Sequence, residues 1–385
     1  MVKYIVSMGY KKKTILHIST LHPRNDTRIF VKQIRTLESM LENHVTLVVA
    51  DGEGDQTFED KNINIKDIGK IKGNRIIRIL KSLITSYFYI RKVNPIVIHF
   101  HDPEIIPLGI IFKLLGYKVI YDVHEDFGCV AFSREWIPWV IRFPLKISIR
   151  FAEHLGAKFF DANIAATKSI STHFPKNKTI IVQNFPIIDE LVAPRKINFR
   201  NRAKSVAYVG YATSNRGARE MVQAIAELSF IDDLTFEFAG SIDPPTLEKE
   251  LTQTSGWEFV NYHGHISRKF MANILGNTRA GLVVFHPSPN HIQAQPTKLF
   301  EYMAAGLPVI ASDFPLWREI IDKAKCGILV NPLSPGSIAN AIKWILSNPV
   351  DAEQMGCNGN RAVQDIFNWR KEGEKLVGLY NRLLS

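Results

Sequence analysis

Short apolar segments alternate with helix-like segments along the whole chain, and this alternation constrains the fold more than any other feature. The predicted strands of the first half cover residues 14–18, 45–50, 95–100, 118–123, 162–166 and 179–182. Those of the second half cover residues 205–210, 234–239, 257–262, 280–285, 307–311 and 328–330. Strands separated by helices pair in parallel within a doubly wound sheet, and ligands bind at the carboxyl ends of such strands. The sequence therefore predicts an α/β protein with two Rossmann-like halves.

A polar stretch with several prolines divides these halves. We predict an N-terminal domain over residues 1–184, a linker over 185–204, a C-terminal domain over 205–366 and a last amphipathic helix over 367–385. At 385 residues the chain is long enough for each domain to bury a core of its own. Its 46% hydrophobic and 22% charged residues are typical of a globular protein.

Cysteine usage and hydropathy favour a reducing, cytosolic environment. The three cysteines, Cys129, Cys326 and Cys357, are odd in number and lack the spacing of metal ligands. No apolar run reaches the roughly 18 residues that a membrane-spanning helix needs. The apolar residues 4–10 are too few for a secretory signal, and three lysines follow them. We therefore expect a cytosolic protein.

The net charge of +11 is distributed unevenly. Residues 1–195 hold 28 Lys/Arg and 19 Asp/Glu, a net charge of +9, and the remainder carries +2. Nucleic acid is the least favoured partner, because no zinc-finger, RNP-like or basic-zipper pattern is present. Residues 66–92 place basic and apolar residues at helical spacing, and residues 136–150 place tryptophans beside arginines. Both patterns favour contact with an anionic membrane surface, although outer helices with a solvated basic face have the same pattern.

Residues 295–311, QPTKLFEYMAAGLPVIA, form the most specific segment. They predict a helix with Pro296 at its first position, a stop at Gly306 in the left-handed conformation, and a buried strand. Lys298 and Glu301 share one face near the start of this helix, where free N–H groups favour anions. A ligand with a diphosphate beside a ribose diol would satisfy both side chains. An ordinary surface Lys–Glu pair is the alternative.

This segment resembles the donor-binding signature of glycosyltransferase family 4, whose members are retaining enzymes of GT-B architecture. The resemblance covers most of the chain. It implies two Rossmann-like, doubly wound parallel-sheet domains facing a central cleft, with a nucleoside-diphosphate sugar as donor. It also implies that the last helix crosses back to the first domain, whereas simple capping of the second core is the alternative. Family members of this kind require no cofactor, so we expect neither a cofactor nor a metal.

The same resemblance assigns the residues that bind the donor. The implied set is Gly210, Arg216, Gly264, His265, Ile266, Gln293, Thr297, Lys298 and Glu301. Arg216 would contact the diphosphate, but Tyr211 stands where the family often has another arginine, so Arg219 or Lys298 would have to replace it. Gln293 stands where the family has the first of two glutamates, so it can bond a hydroxyl but supplies no charge. Arg216, Lys298 and Glu301 are also expected to act in catalysis, together with His124.

Polar clusters follow the predicted strands of the first half and should converge at one edge of the sheet. His124 matches the position of a family histidine that contacts the donor sugar, and a neutral imidazole there can accept a hydroxyl hydrogen bond. Further residues that would line the cleft or bind the acceptor are Asp26, Thr27, Arg28, His101, Asp102, Glu125 and Asp126. Asp26 is also suited to cap the helix that follows it. A metal is not expected, because two-ligand spacing on a helix is missing.

Together these features predict a retaining glycosyltransferase that moves a hexosyl or N-acetylhexosaminyl group from a UDP-sugar. The expected acceptor is a polyprenyl-diphosphate-linked or oligosaccharide acceptor in the assembly of a surface polysaccharide such as O-antigen or capsule. The enzyme would lie on the inner face of the cell membrane. A nucleotide-sugar epimerase of the same fold and a non-catalytic sugar-nucleotide-binding module are the two alternatives.

Overall fold

The computed structural model describes residues 13–41, 43–58, 61–70, 73–128, 138–191 and 197–385. These residues belong to two α/β units. Unit 1 comprises Met1–Gln183 and Glu372–Ser385, and unit 2 comprises Asn184–Lys371. Each unit is built around one mainly parallel sheet, as the alternating pattern predicts.

The sheet of unit 1 has eight strands in the order β3-β4-β2-β1-β5-β6-β7-β8. The strands are β1 (Thr14–Ile18), β2 (His44–Val49), β3 (Gln56–Phe58), β4 (Ile63–Asp67), β5 (Val97–Phe100), β6 (Lys118–Val123), β7 (Ala162–Ala165) and β8 (Thr179–Ile181). Among the described strands of this sheet, only the edge strand β3 runs antiparallel to its neighbour. The bounds of β1 and β6 match the prediction, whereas β3 and β4 were not predicted because their residues are largely polar.

The helices of unit 1 connect these strands. They are Thr27–Ile34, wound as a π-helix and continued by Arg35–Leu41, then Arg75–Val93, Pro103–Ile105, Ile106–Leu114, Trp139–Phe159, Lys168–Ser171 and Lys176–Lys178. The central strands are buried on both faces, with side chains such as Leu16, Ile98, Phe100 and Tyr121 in a common core.

The sheet of unit 2 has six parallel strands in the order β11-β10-β9-β12-β13-β14. They are β9 (Ser205–Val209), β10 (Thr235–Ala239), β11 (Val260–Gly264), β12 (Ala280–Val283), β13 (Val309–Ser312) and β14 (Gly327–Val330). The order reverses at β9, so the carboxyl ends of β9 and β12 lie at the switch point where doubly wound sheets bind ligands.

Helices cover both faces of this sheet. They are Ile188–Leu191, Phe199–Asn201, Ser214–Arg216, Ala218–Ala226, Pro245–Leu251, Ser255–Phe259, Arg268–Asn277, Pro289–Gln293, Thr297–Ala304, Pro315–Ala324, Pro335–Ser347 and Pro349–Asp365. Residues 257–259, predicted as strand, continue a helical turn, and the strand begins only at Val260.

The chain crosses between the units near residues 183 and 372. The predicted linker, residues 185–204, lies within unit 2, where the Phe185 ring is 4.8 Å from the Phe300 ring and Leu191 is buried. Phe185, Leu191 and Phe199 of this segment join the core, which composition alone does not reveal. The last helix spans Trp369–Leu384, and its residues from Glu372 onward belong to unit 1.

The predicted amphipathic helix over residues 66–92 begins only at Arg75. Lys66 lies on β4 and pairs with Asp55 at 2.7 Å, and the Asp67 carboxylate accepts the Gly69 N–H to form a turn after the strand. Trp136 of the second predicted membrane segment, residues 136–150, and Cys129 lie outside the described residues. Within the described ranges, no helix combines the length and apolarity needed to cross a bilayer.

Candidate functional site

The helix Thr297–Ala304, called here the Lys298 helix, carries the central predicted residues of unit 2. Pro296 precedes the helix as its N-cap instead of occupying its first turn. At the other end Gly306 has φ +70°, and the Leu307 and Gly306 N–H groups donate to the Tyr302 and Met303 carbonyls. This Schellman arrangement ends the helix as predicted, and β13 follows. Every residue of the helix after Thr297 is buried.

Lys298 is buried with its Nζ 3.6 Å from the centroid of the Tyr208 ring. Nζ has no hydrogen-bond partner in the described part of the chain. Burial lowers the pKa of Lys298 well below its usual value, and the charge of nearby Arg216 lowers it further, against the opposite effect of Glu301. The aromatic face compensates only part of the lost hydration, and the described residues form no ion pair with this ammonium group.

Gly210, at the carboxyl end of β9, faces this ammonium group. Its φ is +117°, a value that favours glycine, and a Cβ at this position would lie 3.4 Å from Lys298 Nζ. A side chain there would cover the lysine, and its absence leaves the backbone open beside the charge.

Arg216 also lies near Lys298, and the two cations share an aromatic neighbour. The Arg216 guanidinium carbon is 5.4 Å and Lys298 Nζ 5.3 Å from the centroid of the Phe285 ring. Arg216 donates to the Tyr211 carbonyl at 2.9 Å and is half-buried. The structure therefore brings the two predicted cations together.

Arg219 does not replace the missing family arginine. Its guanidinium forms a two-pronged pair with Glu250, with Nη2 2.7 Å from Oε2, on the exposed side of the unit. Since an arginine held by its own carboxylate does not need an anionic ligand, Arg219 is excluded as the second cation and Lys298 remains.

Glu301 is buried and pairs with an arginine that the sequence analysis did not single out. Arg268 Nη1 lies 2.6 Å from Glu301 Oε1, and Arg268 Nη2 lies 3.2 Å from Glu190 Oε2. The alternative of a surface Lys298–Glu301 pair is wrong, because both side chains are buried and Glu301 pairs elsewhere. Glu301 Oε1 is occupied, which leaves Oε2 for a ligand.

Gln293 and Thr297 are two further predicted donor residues. Gln293 is exposed at the end of the helix Pro289–Gln293, whereas the His291 ring of that helix lies 4.9 Å from the Phe285 ring, tilted by 46°. Thr297 opens the Lys298 helix and accepts a long 3.5 Å hydrogen bond from Asn184.

The predicted nucleobase turn, Gly264, His265 and Ile266, follows β11. Gly264 has φ +57° and its carbonyl accepts the Gly240 N–H at 2.7 Å. His265 is exposed and Ile266 packs against the core.

In unit 1, Asp122 at the end of β6 is the centre of a buried polar cluster. Its carboxylate accepts from Arg28 (Nη2, 2.7 Å), Gln33 (Nε2, 2.6 Å) and His124 (Nε2, 2.9 Å). Burial alone would raise the pKa of Asp122, but the Arg28 and histidine contacts outweigh it and hold the pKa well below its usual value. Asp122 is therefore ionised and fixes the groups around it.

This cluster corrects the prediction for the loop after β1. Arg28 is buried, bound to Asp122 and the Val182 carbonyl, and so is not a cation for a ligand. Asp26 caps the π-helix by accepting the Arg28 and Ile29 N–H groups, both at 2.8 Å, and Thr27 begins that helix.

The predicted acceptor residues after β5 and β6 separate into buried and accessible groups. His101 and Asp102 are fully buried, and Asp102 holds the β1 loop through Ser19 Oγ at 3.0 Å and Thr20 N–H at 2.6 Å. Both therefore support the site without lining it. Glu125 is exposed, and Asp126 pairs with Arg150 at 2.7 Å.

His124 is the accessible member of a row of imidazoles. Its Nε2 lies 3.0 Å from His101 Nδ1, and His101 Nε2 lies 3.0 Å from His17 Nδ1. Of these three histidines, only His17 was not predicted. Strand alternation nevertheless places His17 on the same face of the sheet as its register partner on β5.

Among the described residues of unit 1, two groups of side chains are compact enough to hold a metal: His17, His99 and His101, and His101, Asp122 and His124. Most ring nitrogens of these groups already hydrogen-bond one another, the Asp122 carboxylate or the Tyr380 hydroxyl, whereas His99 Nε2 has no partner among the described residues. Because most of the donor atoms are used within the protein, the residues fit a hydrogen-bonded cluster better than a metal site. The absence of a metal stays a prediction.

Residues 189–362 match the family of glycosyl transferases group 1. The alpha-D-kanosaminyltransferase of Streptomyces kanamyceticus is 26% identical over 180 residues, 46% of this chain and 45% of that protein. The chain thus spans about half the length of this curated relative.

Solved structures extend the likeness to nearly the whole chain. Sucrose-phosphate synthase of Thermosynechococcus elongatus superposes with a TM-score of 0.76 at 18% identity, covering 97% of this chain and 99% of that one. Anabaena HepE in complex with UDP-glucose superposes with a TM-score of 0.72 at 14% identity, covering 96% and 100%. These likenesses show the fold, and the predicted GT-B class is confirmed. The match to the group 1 glycosyl transferases covers residues 189–362, and the solved structures show the same fold for nearly the whole chain.

Proposed function

We propose that the protein is a retaining glycosyltransferase that uses a nucleoside-diphosphate sugar. One observation supports this proposal above all others: the buried ammonium group of Lys298 lies beside Gly210, at the switch point of the unit 2 sheet, with no hydrogen-bond partner among the residues that the structure describes. Burying an unpaired cation is costly, and proteins keep such groups where a ligand supplies the opposite charge. The diphosphate of a sugar nucleotide is an anion suited to this place.

The diphosphate is also where charge develops during transfer. When the bond between the sugar C1 and the phosphate oxygen breaks, the leaving nucleoside diphosphate gains negative charge. Lys298 and Arg216 would stabilise that charge in a site with little water, which is usually a large part of catalysis. The free Oε2 of Glu301 can accept hydrogen bonds from hydroxyls of the donor.

In the proposed reaction the acceptor hydroxyl attacks C1 on the face from which the diphosphate leaves. The C1–O bond to the acceptor forms, the C1–O bond to phosphate breaks, and a phosphate oxygen takes the proton of the acceptor hydroxyl. Configuration is retained without a carboxylate nucleophile. His124, with one ring nitrogen bound to Asp122, would accept a sugar hydroxyl hydrogen bond through the other nitrogen.

A UDP-sugar of the hexosyl or N-acetylhexosaminyl type is the proposed donor. Support comes from HepE, a protein of the same fold whose structure is known in complex with UDP-glucose. Calorimetric titration with UDP-, GDP- and dTDP-sugars tests the proposal, and heat from the UDP-sugars alone is expected.

The Lys298→Met variant keeps the length of the side chain and removes its charge. It should weaken donor binding by at least roughly 30-fold, since a charged contact is worth about 2 kcal/mol. Lys323→Met, an exposed lysine of the same unit, serves as the matched control and should bind normally. Equal donor affinity of both variants would refute the site.

We further propose that the acceptor is lipid-linked, in the assembly of a surface polysaccharide, and that the protein works at the inner face of the membrane. Support comes from the helix Arg75–Val93, which exposes an apolar stripe of Leu80, Ile84 and Phe88. Phe88 is 67% exposed, and the exposed cations Arg78, Lys81, Arg91 and Lys92 lie on the same helix. A basic amphipathic helix of this kind suits an anionic headgroup layer.

The helix Trp139–Phe159 presents a second apolar stripe. Trp139 is 79% and Phe151 68% exposed, and Phe143 and Ile147 lie between them. Flotation with vesicles containing anionic lipid at low salt tests the membrane proposal. The double variant Leu80→Ser and Phe88→Ser should stay with the soluble fraction while the wild type floats. If the wild type does not float, the proposal of a lipid-linked acceptor at the membrane is refuted.

The dependence of UDP release on an added acceptor distinguishes the proposed transferase from its two alternatives. A transferase releases UDP only when an acceptor, such as a lipid extract, is added. An epimerase converts the donor sugar without acceptor, and a binding module releases no UDP.

A further inference from the structure

The ring of Phe285 lies beside both cations of the candidate site in unit 2. Phe285 follows β12 by two residues, at the switch point of the sheet, and is buried. Two charged groups lie over its ring: the guanidinium carbon of Arg216, 5.4 Å from the centroid, and Lys298 Nζ, 5.3 Å from it. Both distances are within the roughly 6 Å over which the negative face of an aromatic ring attracts a cation.

The two cations repel each other, and this repulsion is costly where water is partly excluded. Lys298 Nζ has no hydrogen bond to any described residue, and Arg216 donates to a neutral group, the Tyr211 carbonyl, at 2.9 Å. The carboxylate of Glu301, on the Lys298 helix, is bound by Arg268 at 2.6 Å. In the described part of the chain, aromatic rings therefore supply the negative surface that faces both cations.

Each cation also has a second ring of its own. The Arg216 guanidinium carbon lies 5.4 Å from the centroid of the Tyr211 ring, and Lys298 Nζ lies 3.6 Å from that of the Tyr208 ring. Among the described aromatic rings, Phe285 alone has both cations over it. Tyr211 and Tyr208 thus hold one cation each, whereas Phe285 fixes where the two cations lie relative to each other.

Phe285 is held in place by groups other than the two cations. Ser312, the last residue of β13, is fully buried and donates from Oγ to the Phe285 carbonyl at 2.7 Å. The Trp317 ring meets the Phe285 ring edge to face at 5.6 Å, and the His291 ring lies 4.9 Å from it on another side of the cluster. Because these contacts do not involve the cations, the ring is a fixed reference for them.

A ring between two cations has a different effect on a ligand than a carboxylate would have. A carboxylate there would neutralise Arg216 and Lys298 and would compete with an anionic ligand for them. A ring face offsets part of their repulsion, has no net charge and leaves the Lys298 ammonium without a hydrogen-bonded partner.

We infer that Phe285 is a positioning residue for Arg216 and Lys298, because its ring holds the two cations next to each other for one anionic group that binds both. That this group is the diphosphate of a sugar nucleotide rests on the proposed function. The role of the ring in the free protein does not, since it follows from the contacts of the two cations alone.

The first experiment is a double-mutant cycle on the stability of the free, full-length protein. Phe285→Leu keeps an apolar side chain and removes the ring, and urea unfolding measures its effect in the wild type and in the double variant Arg216→Gln, Lys298→Met. A ring that only packs costs the same in both backgrounds, whereas a ring that holds cations costs less once the cations are gone. We expect the unfolding equilibrium constant to rise at least roughly fivefold more in the wild-type background.

Phe314→Leu is the matched control for this cycle. Phe314 is a buried phenylalanine of the same unit, lies 4.8 Å from the Trp317 ring and has no described cation over its ring. Its replacement should cost the same in both backgrounds. The same cycle with 3,4,5-trifluorophenylalanine at position 285 keeps the shape of the ring and withdraws charge from its face, so it decides the question where Phe285→Leu does not fold.

The second experiment is calorimetric titration with inorganic pyrophosphate and with UDP-glucose. Phe285→Leu should weaken the binding of both by roughly tenfold, because the cations must then be brought together at the moment of binding, and Phe314→Leu should bind both normally. Equal costs of the Phe285 replacements in the two backgrounds overturn the inference. A protein that shows the coupling in the cycle but binds no sugar nucleotide refutes the proposed function alone, whereas UDP-glucose binding without the coupling refutes the role of Phe285 alone.

Discussion

Arg268 Nη1 lies 2.6 Å from Oε1 of Glu301, and this contact fixes one oxygen of a carboxylate buried in the Lys298 helix. The same guanidinium is held by Glu190 at 3.2 Å, in the short helix that opens unit 2. Arg268 therefore sets the direction of the remaining oxygen of Glu301, and a ligand that binds it meets a preoriented acceptor.

Replacing Arg268 by Gln should weaken donor binding without unfolding unit 2. Glu301 would lose the partner of Oε1 and would turn or take up a proton, so we expect a loss of roughly tenfold in donor affinity, measured by calorimetry. Arg318→Gln breaks an exposed arginine pair with Asp313 in the same unit and should bind donor like the wild type. A normal donor affinity of Arg268→Gln would show that Glu301 needs no orientation.

Lys298→Met should make the protein more stable while it abolishes tight donor binding. The ammonium group is buried over Tyr208 and has no hydrogen bond to any described residue. A methionine of similar length removes that desolvation cost while keeping the contact with the ring. We expect a gain of about 1–2 kcal/mol in the free energy of unfolding in urea. A less stable Lys298→Met protein would mean that the lysine serves the fold.

Local sequence patterns predicted much of this architecture. The apolar runs of β1 and β6 and the helix stop at Gly306 depend on neighbouring residues only, and the structure has them where predicted. Lys298 and Glu301 were found in the same way, because helical spacing places both near one end of a short helix.

What the sequence did not predict depends on distant partners. Glu301 meets an arginine 33 positions earlier, and Tyr380 meets a histidine 281 positions earlier. Arg28 was taken for a ligand contact, but its charge is neutralised by Asp122, 94 positions later. No local periodicity encodes such pairs, which only the packing of the sheet and helices creates.

The histidine cluster should make unit 1 unstable in acid. Burial lowers the pKa of His101 to about 4, despite the opposing hydrogen bond with Asp122, and burial lowers the pKa values of His17 and His99 as well. Unfolded histidines titrate near 6.5, so the unfolded state binds more protons below that pH. The stability contribution is complete above pH ~6.5 and falls as the pH falls toward the folded value, by roughly 3 kcal/mol for His101.

Urea unfolding between pH 4 and 8 measures this dependence. His101→Gln should flatten the slope between pH 4 and 6.5, because one buried imidazole no longer titrates. His154→Gln, an exposed histidine of the same unit, should keep the wild-type slope. Equal slopes for both variants would contradict the neutral, buried state of His101.

Glu153 should give unit 1 a pH dependence of the opposite sign. Burial raises the pKa of this carboxyl to about 7, against the hydrogen bond that it accepts from Tyr121. In the unfolded chain it ionises near 4.5, so the folded state holds the proton longer. Its contribution to stability is complete below pH ~4.5 and is lost as the pH rises toward 7, by roughly 3 kcal/mol.

Glu153→Gln keeps an acceptor for Tyr121 and cannot ionise, so it should raise the free energy of unfolding at pH 8 by about that amount and change it little at pH 4. Glu374→Gln, exposed on the last helix, is the control and should change stability at neither pH. Equal effects of Glu153→Gln at both pH values would show that this carboxyl is not protonated in the folded protein near neutral pH.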